Sequence, residues 1–204
     1  MRYEKFSENR FNCATCPTLC DGVSKEIYLF NNDSAFSEHF EQEILARINK
    51  SKDHTARKSP AHEFPDVEVS ENASDKISFY IEVKVQRRTF MSVEKILPQS
   101  GLLPSETLAL NLSDLLRYFE LAKKNNLKIY VLWVLLNRPC ILGESERRFF
   151  YNDTDFLKLI YEKEKDKRRF RRKSGEGDVV DGEHKGVVVN YHFSLNELKE
   201  WKGF

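Results

Sequence analysis

Residues 129–136 read IYVLWVLL, the longest apolar run in the chain. A strand that is apolar on both faces has to be covered on both faces, which is typical of a central strand in an α/β protein. The run is much shorter than the roughly 20 apolar residues of a membrane span. Just before it, from Asn111 or Ser113 to residue 126, apolar residues recur at helical spacing and predict a helix. A helix between two strands favours a right-handed crossover and a mixed sheet.

Residues 77–86 predict a second strand, because apolar and polar side chains alternate along it. One face carries Ile77, Phe79, Ile81, Val83 and Val85, and the other carries Ser78, Tyr80, Glu82, Lys84 and Gln86. Residues 64–69 predict the preceding strand, and the turn-rich segment SENASDK predicts a hairpin between the two. Upstream, residues 35–50 predict an amphipathic helix that follows the N-cap residues Asp33 and Ser34.

The ends of the chain carry weaker signals. A strand is expected at residues 25–30, and no element is assigned to residues 51–63 or to most of residues 91–110. A helix is predicted from Asp153 or Thr154 to residue 161, and a strand at residues 186–193. Ser194 and Glu197 form a capping box for a last short helix.

Length and composition indicate a soluble protein with one α/β domain and a small appendage. The chain has 204 residues, of which 40% are hydrophobic and 32% charged, and its net charge is +1. Because the net charge is so small, any nucleic-acid-binding surface has to be local. The N-terminal sequence MRYEKFSENR lacks the apolar region of a signal peptide, so we expect a cytoplasmic protein that does not associate with membranes.

The polar face of residues 77–86 suggests a site for phosphodiester hydrolysis. Glu82 and Lys84 share that face, and Asp66 follows Pro65 at the start of the preceding strand. If the two strands pair as a hairpin, Asp66, Glu68, Glu82 and Lys84 converge. Carboxylates hold Mg²⁺, which prefers oxygen ligands, and a lysine can position water or neutralise developing negative charge.

The first predicted helix offers a further carboxylate. Glu41 lies within the arc of its apolar residues, whereas Glu43 points away from them. An acidic side chain on an apolar face is costly unless it is paired or bound to metal, so Glu41 is the better candidate.

These residues resemble the PD-(D/E)xK nuclease superfamily, which includes restriction endonucleases and Holliday-junction resolvases. The resemblance covers residues 35–136: Glu41 on a helix, Pro65-Asp66, Glu82-Val83-Lys84, and then a helix and an apolar strand. It implies a restriction endonuclease-like αβββαβ core with a mixed central sheet. It also implies that Asp66 and Glu82 bind Mg²⁺ or Mn²⁺ and that Lys84 lies near the attacking water. Gln86 matches a glutamine found after the lysine in some branches.

Cys13, Cys16 and Cys20 form a compact cluster near the N-terminus. Cysteines in the cytoplasm are reduced, so metal binding is favoured over disulfides. The fourth ligand of a closed zinc site is Cys140, His39 or His62. A [4Fe–4S] cluster is the alternative, because some RecB-like relatives hold one with three clustered cysteines and one distant cysteine. The third reading is a set of free thiols.

Two basic stretches are candidates for DNA contact. Residues 163–173 form a basic run, and we expect it to contact phosphates through Arg168, Arg169, Arg171, Arg172 and Lys173. A solvated helix end explains this run equally well. Arg87 and Arg88 directly follow the predicted Glu82–Lys84 strand and could also touch the DNA backbone.

The predicted organisation has three parts: a cysteine-rich segment at 1–30, a nuclease core at 31–150 and a C-terminal extension at 151–204. The sequence favours a metal-dependent endonuclease acting on DNA, in genome defence or repair, with a homodimer needed to cut both strands. The alternatives are a nucleic-acid-binding module without catalysis and a zinc-dependent structural protein.

The cysteine cluster gives a testable prediction. Purified protein should contain about one zinc ion per chain or a brown iron–sulfur chromophore. Cys13→Ser should mainly lower thermal stability, because a structural metal contributes folding free energy. Elemental analysis, the visible spectrum and thermal melting measure these effects. Colourless protein without bound metal would rule out the cluster.

Overall fold

A computed structural model describes residues 30–61, 64–72, 76–171, 179–180, 183–184 and 189–202. Cys13, Cys16 and Cys20 lie outside these ranges, so the metal-binding role of the N-terminal segment stays a prediction. Within the same ranges, no helix is long and apolar enough to cross a membrane.

The described residues form both helices and strands. The helices are α1 (Phe30–Asn49), α2 (Val93–Ile96), α3 (Leu112–Asn125), α4 (Pro139–Leu142) and α5 (Thr154–Glu164). The strands are β1 (His54–Lys58), β2 (Val67–Glu71), β3 (Ile77–Gln86), β4 (Thr107–Asn111), β5 (Lys128–Leu136), β6 (Arg147–Asp153), β7 (Arg169–Arg171), β8 (Val179–Val180), β9 (Glu183–His184), β10 (Val189–Ser194) and β11 (Lys199–Glu200).

The main sheet has the strand order β1-β2-β3-β5-β6-β11. Strands β3 and β5 are parallel and are connected through α3, and the other neighbours are antiparallel. The predicted mixed α/β architecture is therefore confirmed, and α1, β1, β2, β3, α3 and β5 follow the predicted αβββαβ order. A smaller antiparallel sheet, β4-β10-β7, joins residues from the middle and the end of the chain.

Strand β5 is buried on both faces, as its apolar sequence predicts. Val131 and Trp133 pack with α3, α5 and the smaller sheet. Leu132 and Val134 pack with α1 and with the apolar face of β3. The sheet therefore separates two hydrophobic layers, and the polar face of β3 points toward the layer that contains α3.

Strands β1, β4 and β6 lie where the sequence predicted none, and so do the short strands β7, β8, β9 and β11. Strand β1 reads HTARK and is at the edge of the sheet, so only Ala56 in it is buried. Strand β6 begins with Arg147 and Arg148, which form ion pairs with Glu43 and Glu200. A strand at an edge, or one with paired charges, does not need the apolar run by which central strands are recognised.

Arg138 follows β5 and is fully buried. Its guanidinium donates to the main-chain carbonyls of Ser105 at 3.0 Å, Thr107 at 2.8 Å and Arg88 at 3.1 Å. The side chain thus ties the long connection between β3 and β4 to the end of the central strand. Buried carbonyls left without a donor carry a desolvation penalty, so this contact is structurally important.

We therefore expect Arg138→Ala to reduce the free energy of unfolding by about 3 kcal/mol, because the buried carbonyls of Ser105 and Thr107 lose the Arg138 donor. Arg169→Ala is the matched control: its guanidinium is exposed and lies 3.6 Å from Asp166. Arg169→Ala should reduce the free energy of unfolding by less than about 1 kcal/mol. Urea denaturation of both variants measures the difference, and equal losses would contradict the assignment.

Candidate active site

The β2–β3 hairpin brings Asp66 beside Glu82. Val67, the first residue of β2, pairs with Ile81. Asp66 directly precedes Val67 and therefore lies opposite Glu82. The Asp66 carboxylate is anchored there, because its Oδ2 accepts a hydrogen bond of 2.8 Å from the backbone N–H of Val83. The predicted convergence of these two acidic residues is present in the structure.

Glu82 and Lys84 project from the same face of β3 toward α3. Glu82 is only 2% exposed, and one of its carboxylate oxygens, Oε1, is paired with the Lys84 ammonium. Its other oxygen, Oε2, is buried and has no hydrogen-bond partner among the residues that the structure describes. The Lys84 side chain is one-third exposed, so the cluster opens to solvent at this residue.

The electrostatics of the site are dominated by burial and by repulsion between carboxylates. Burial and then the charge of Glu82 raise the pKa of Asp66 to about 7, although Lys84 and the Val83 N–H act to lower it. Burial lowers the pKa of Lys84, but the neighbouring Glu82 and Asp66 carboxylates outweigh it, so the pKa is raised overall. Lys84 therefore remains protonated at neutral pH, and the carboxylates favour an additional cation.

Helix α3 adds Asp114, Arg117 and Tyr118 to this cluster. Asp114 Oδ2 lies 4.0 Å from Lys84 Nζ, and Asp114 Oδ1 lies 3.0 Å from Arg117 Nη2. The Tyr118 phenol lies near the Glu82 carboxylate, and burial followed by the charge of Glu82 raises the pKa of Tyr118. The sequence indicates that Arg117 and Tyr118 could approach the site, although helical spacing alone does not decide it, and sequence reasoning missed Asp114. The available signal was the spacing of Asp114 and Tyr118, which places both on one side of the helix.

Glu41 and Glu43 have different surroundings. Glu43 forms ion pairs with Arg47 at 2.7 Å and with Arg147 at 2.9 Å. Glu41 instead lies 3.4 Å from Lys58 at the end of β1, and its charge contributes to raising the pKa of Asp66. Glu41 is therefore the acidic residue of α1 that the structure places near the cluster.

Two other predicted participants are engaged elsewhere. Glu68 is buried on the same face as Asp66, but its Oε2 accepts a hydrogen bond of 2.7 Å from Arg57. Gln86 donates through Nε2 to the carbonyl of Arg88 at 2.7 Å and accepts through Oε1 from the N–H of Ala109 at 3.2 Å. The Gln86 carboxamide thus connects β3 to β4, which favours a positioning role.

The basic stretches are partly brought together. Phe90, just after Arg88, packs on Phe170 with ring centroids 5.3 Å apart. Arg169 and Arg171 flank Phe170 and are exposed. Arg168 requires a correction: it is buried and lies 2.7 Å from Glu197, so its guanidinium does not face a DNA-binding surface. Arg172 and Lys173 lie outside the described residues.

The candidate ligands of the cysteine site are not brought together by anything the structure describes. Cys140 lies in α4 and packs against the hydrophobic layer that contains α3. His39 lies exposed on α1 beside the ring of Phe40. Cys13, Cys16, Cys20 and His62 are outside the described ranges. Within those ranges, no group of three His, Cys, Asp or Glu side chains is arranged to hold a metal ion.

Comparisons with known proteins found similar solved structures at low identity. The Holliday junction resolvase of the archaeal hyperthermophile Archaeoglobus fulgidus aligns with a TM-score of 0.40 and 12% identity, over 78% of this chain and 84% of that chain. A nuclease from a fusselovirus aligns with a TM-score of 0.36 and 12% identity, over 83% of this chain and 84% of that chain. No family model matches the sequence, and no curated protein does either. These similarities are too weak to assign a family or an activity.

The raised pKa of Asp66 predicts a pH-dependent cost to stability. In the folded protein the Asp66 carboxyl stays protonated up to about pH 7. In the unfolded chain it loses its proton near its ordinary pKa of 3.8. The folded state therefore binds more protons between these values, and its stability falls as pH rises through this window.

Asp66→Asn should accordingly be more stable than wild type at pH 8, by a few kcal/mol, on the order of the linkage free energy. The difference should shrink toward pH 4, since the wild-type carboxyl is then neutral in both states. Thermal melting in EDTA from pH 4 to pH 8 measures it. The exposed Asp53→Asn is the control and should show no such trend. A pH-independent difference for Asp66→Asn would contradict the raised pKa.

Proposed function

We propose that this protein is a metal-dependent endonuclease that hydrolyses phosphodiester bonds in DNA. The observation that carries the proposal is the convergence of Asp66, Glu82 and Lys84 on two antiparallel strands. The Val83 N–H anchors Asp66 beside the Glu82–Lys84 pair. Two acidic groups and a protonated lysine at a solvent opening are the groups that this reaction requires.

The residues present fit a divalent metal ion. Asp66 and Glu82 supply oxygen ligands, which Mg²⁺ and Mn²⁺ prefer. Burial and then repulsion by Glu82 raise the pKa of Asp66, and the buried Glu82 Oε2 has no partner within the described residues. A cation between the two carboxylates would relieve both conditions. When bound, it would stabilise charge at the phosphate and lower the pKa of a ligated water.

The protein's own groups would position the remaining participants. Lys84 is held by Glu82, remains protonated and is one-third exposed. It is therefore placed to orient a water molecule or to neutralise the phosphate. In hydrolysis the water oxygen joins phosphorus and the bond to the 3′-oxygen breaks, which leaves a 5′-phosphate and a 3′-hydroxyl. Glu41 lies near enough to contribute to the charge around Asp66.

DNA is the substrate that the surrounding basic residues favour. We propose that Arg87, Arg88, Arg169 and Arg171 contact its backbone, because the Phe90–Phe170 contact joins their two segments. Cutting both strands of a duplex requires two sites, so a homodimer is the expected assembly. Restriction or another defence role and repair or junction cleavage are the biological settings compatible with this chemistry.

The test is cleavage of plasmid, linear and branched DNA. Wild type should cut with Mg²⁺ or Mn²⁺ and lose all activity in EDTA. Asp66→Ala and Lys84→Ala should reduce cleavage by at least about 100-fold, since each removes a group that acts on metal or water. DNA binding by Lys84→Ala should fall little, because a single phosphate contact is a small part of the affinity.

Glu41 and Glu43 provide the matched control. Both are glutamates of α1, but only Glu41 lies near Asp66. Glu41→Ala should reduce cleavage and Glu43→Ala should leave it unchanged, with both variants checked by thermal melting. Cleavage that persists in EDTA, or full activity in folded Asp66→Ala and Lys84→Ala, would refute the proposal. Binding without cleavage by wild type would indicate a nucleic-acid-binding module that lacks catalysis.

A further inference from the structure

Arg117 is held in one position at the entrance of the cluster. Its Nη2 lies 3.0 Å from Asp114 Oδ1 and donates to the Tyr118 hydroxyl at 3.2 Å. Its guanidinium carbon also lies 5.1 Å from the centroid of the Tyr118 ring. The side chain is nevertheless 41% exposed. Arg117 is thus an exposed cation whose geometry is fixed by two neighbours.

Both neighbours connect Arg117 to the residues proposed for catalysis. Tyr118 is almost fully buried, and its phenol lies close enough to Glu82 for the carboxylate charge to raise the pKa of Tyr118. Asp114 uses its other carboxylate oxygen to approach Lys84 Nζ at 4.0 Å. Arg117 and Lys84 therefore flank the same aspartate, one from α3 and one from β3.

Without a bound metal ion, the acidic side chains at the opening disfavour an anionic substrate, and a further basic side chain would offset them. Asp66, Glu82 and Asp114 would repel a phosphate that approaches Lys84. The guanidinium has five donors, and within the described residues the bonds of Arg117 all involve Nη2. The remaining donors are available for the planar, paired contacts that arginine makes with phosphate.

A shallow groove lies along α3 beside Arg117. Arg117 lines it together with Glu120, Leu121, Lys123 and Lys124. Lys124 lies two turns of helix from Arg117, so basic side chains mark both ends of the groove.

We propose that Arg117 binds a backbone phosphate of the DNA strand being cut, so that α3 forms the second wall of the active site. Asp114 and Tyr118 are positioning residues that fix the guanidinium before substrate arrives. This inference rests on the proposed nuclease function, but phosphate binding can be measured without cleavage.

The experiment measures DNA affinity in EDTA over a range of salt concentrations, and cleavage with Mg²⁺ separately. Arg117→Gln keeps a polar side chain beside Asp114 and Tyr118 but removes the charge. It should weaken binding roughly 3- to 10-fold and reduce the salt slope by about 0.9. In cleavage, KM should rise more than kcat falls. Arg117→Lys should retain the salt slope, because it keeps the charge.

Arg47→Ala and Arg117→Ala form a matched pair. Arg47 is 40% exposed, lies 2.7 Å from Glu43 on its own helix, and covers the Phe149 ring at 4.9 Å. It belongs to α1, which packs on the opposite face of the sheet. Arg47→Ala should leave the salt slope and cleavage unchanged. Thermal melting checks all four variants.

Each outcome decides the inference. An unchanged salt slope in folded Arg117→Gln would overturn it, even if wild type cuts DNA. If wild type binds DNA but does not cut it, the nuclease proposal fails. The salt slope of DNA binding then still decides whether Arg117 contacts a phosphate. If wild type neither binds nor cuts, both proposals are overturned.

Discussion

Glu82 is an acidic side chain almost completely buried between the central sheet and α3, and the surrounding structure compensates for it. A buried carboxylate is costly unless it is paired and hydrogen-bonded. Lys84 supplies the opposite charge from the same strand, and the phenol of Tyr118 lies nearby on α3. Arg117 and Asp114 complete the network around these two residues. Compensation is incomplete, since Glu82 Oε2 is left without a partner in the described structure and Asp66 is held nearby. An incompletely compensated carboxylate pair is what a metal site requires.

The sheet can place this network only because its two faces are packed differently. Beneath β3, the apolar side chains of Ile81 and Val83 meet α1 and form a continuous hydrophobic layer. Above β3, the polar side chains meet the N-terminal half of α3, while Trp133 of β5 continues the apolar packing beyond them. The rigid apolar layer holds the backbone of β3, and the cluster is positioned by that backbone. Stability and proposed chemistry are therefore assigned to opposite faces of one strand.

The smaller sheet connects the end of the chain to this arrangement. Arg138 and Gln86 both bind main-chain groups of the connection around β4. Strand β4 pairs with β10, and β10 pairs with β7, which carries Arg169 and Arg171. These contacts position the exposed arginines relative to the end of β3. The Phe90–Phe170 contact thus joins two basic segments that are far apart in sequence.

The sequence by itself determined the features that depend on local periodicity and short spacing. The alternation in β3, the helical spacing in α3 and the apolar run of β5 each give an element and its faces, because burial imposes these periods. The shared face of Glu82 and Lys84, and the preference for Glu41 over Glu43, come from the same geometry. Only the tertiary structure decided contacts between distant segments. Strand β1 is stabilised by its pairing with β2, and its own sequence carries no such signal. Arg168 is buried because Glu197, far along the chain, meets it. Asp114 and Tyr118 join the site because α3 crosses over β3, and the spacing along one helix does not specify the strand that it will face.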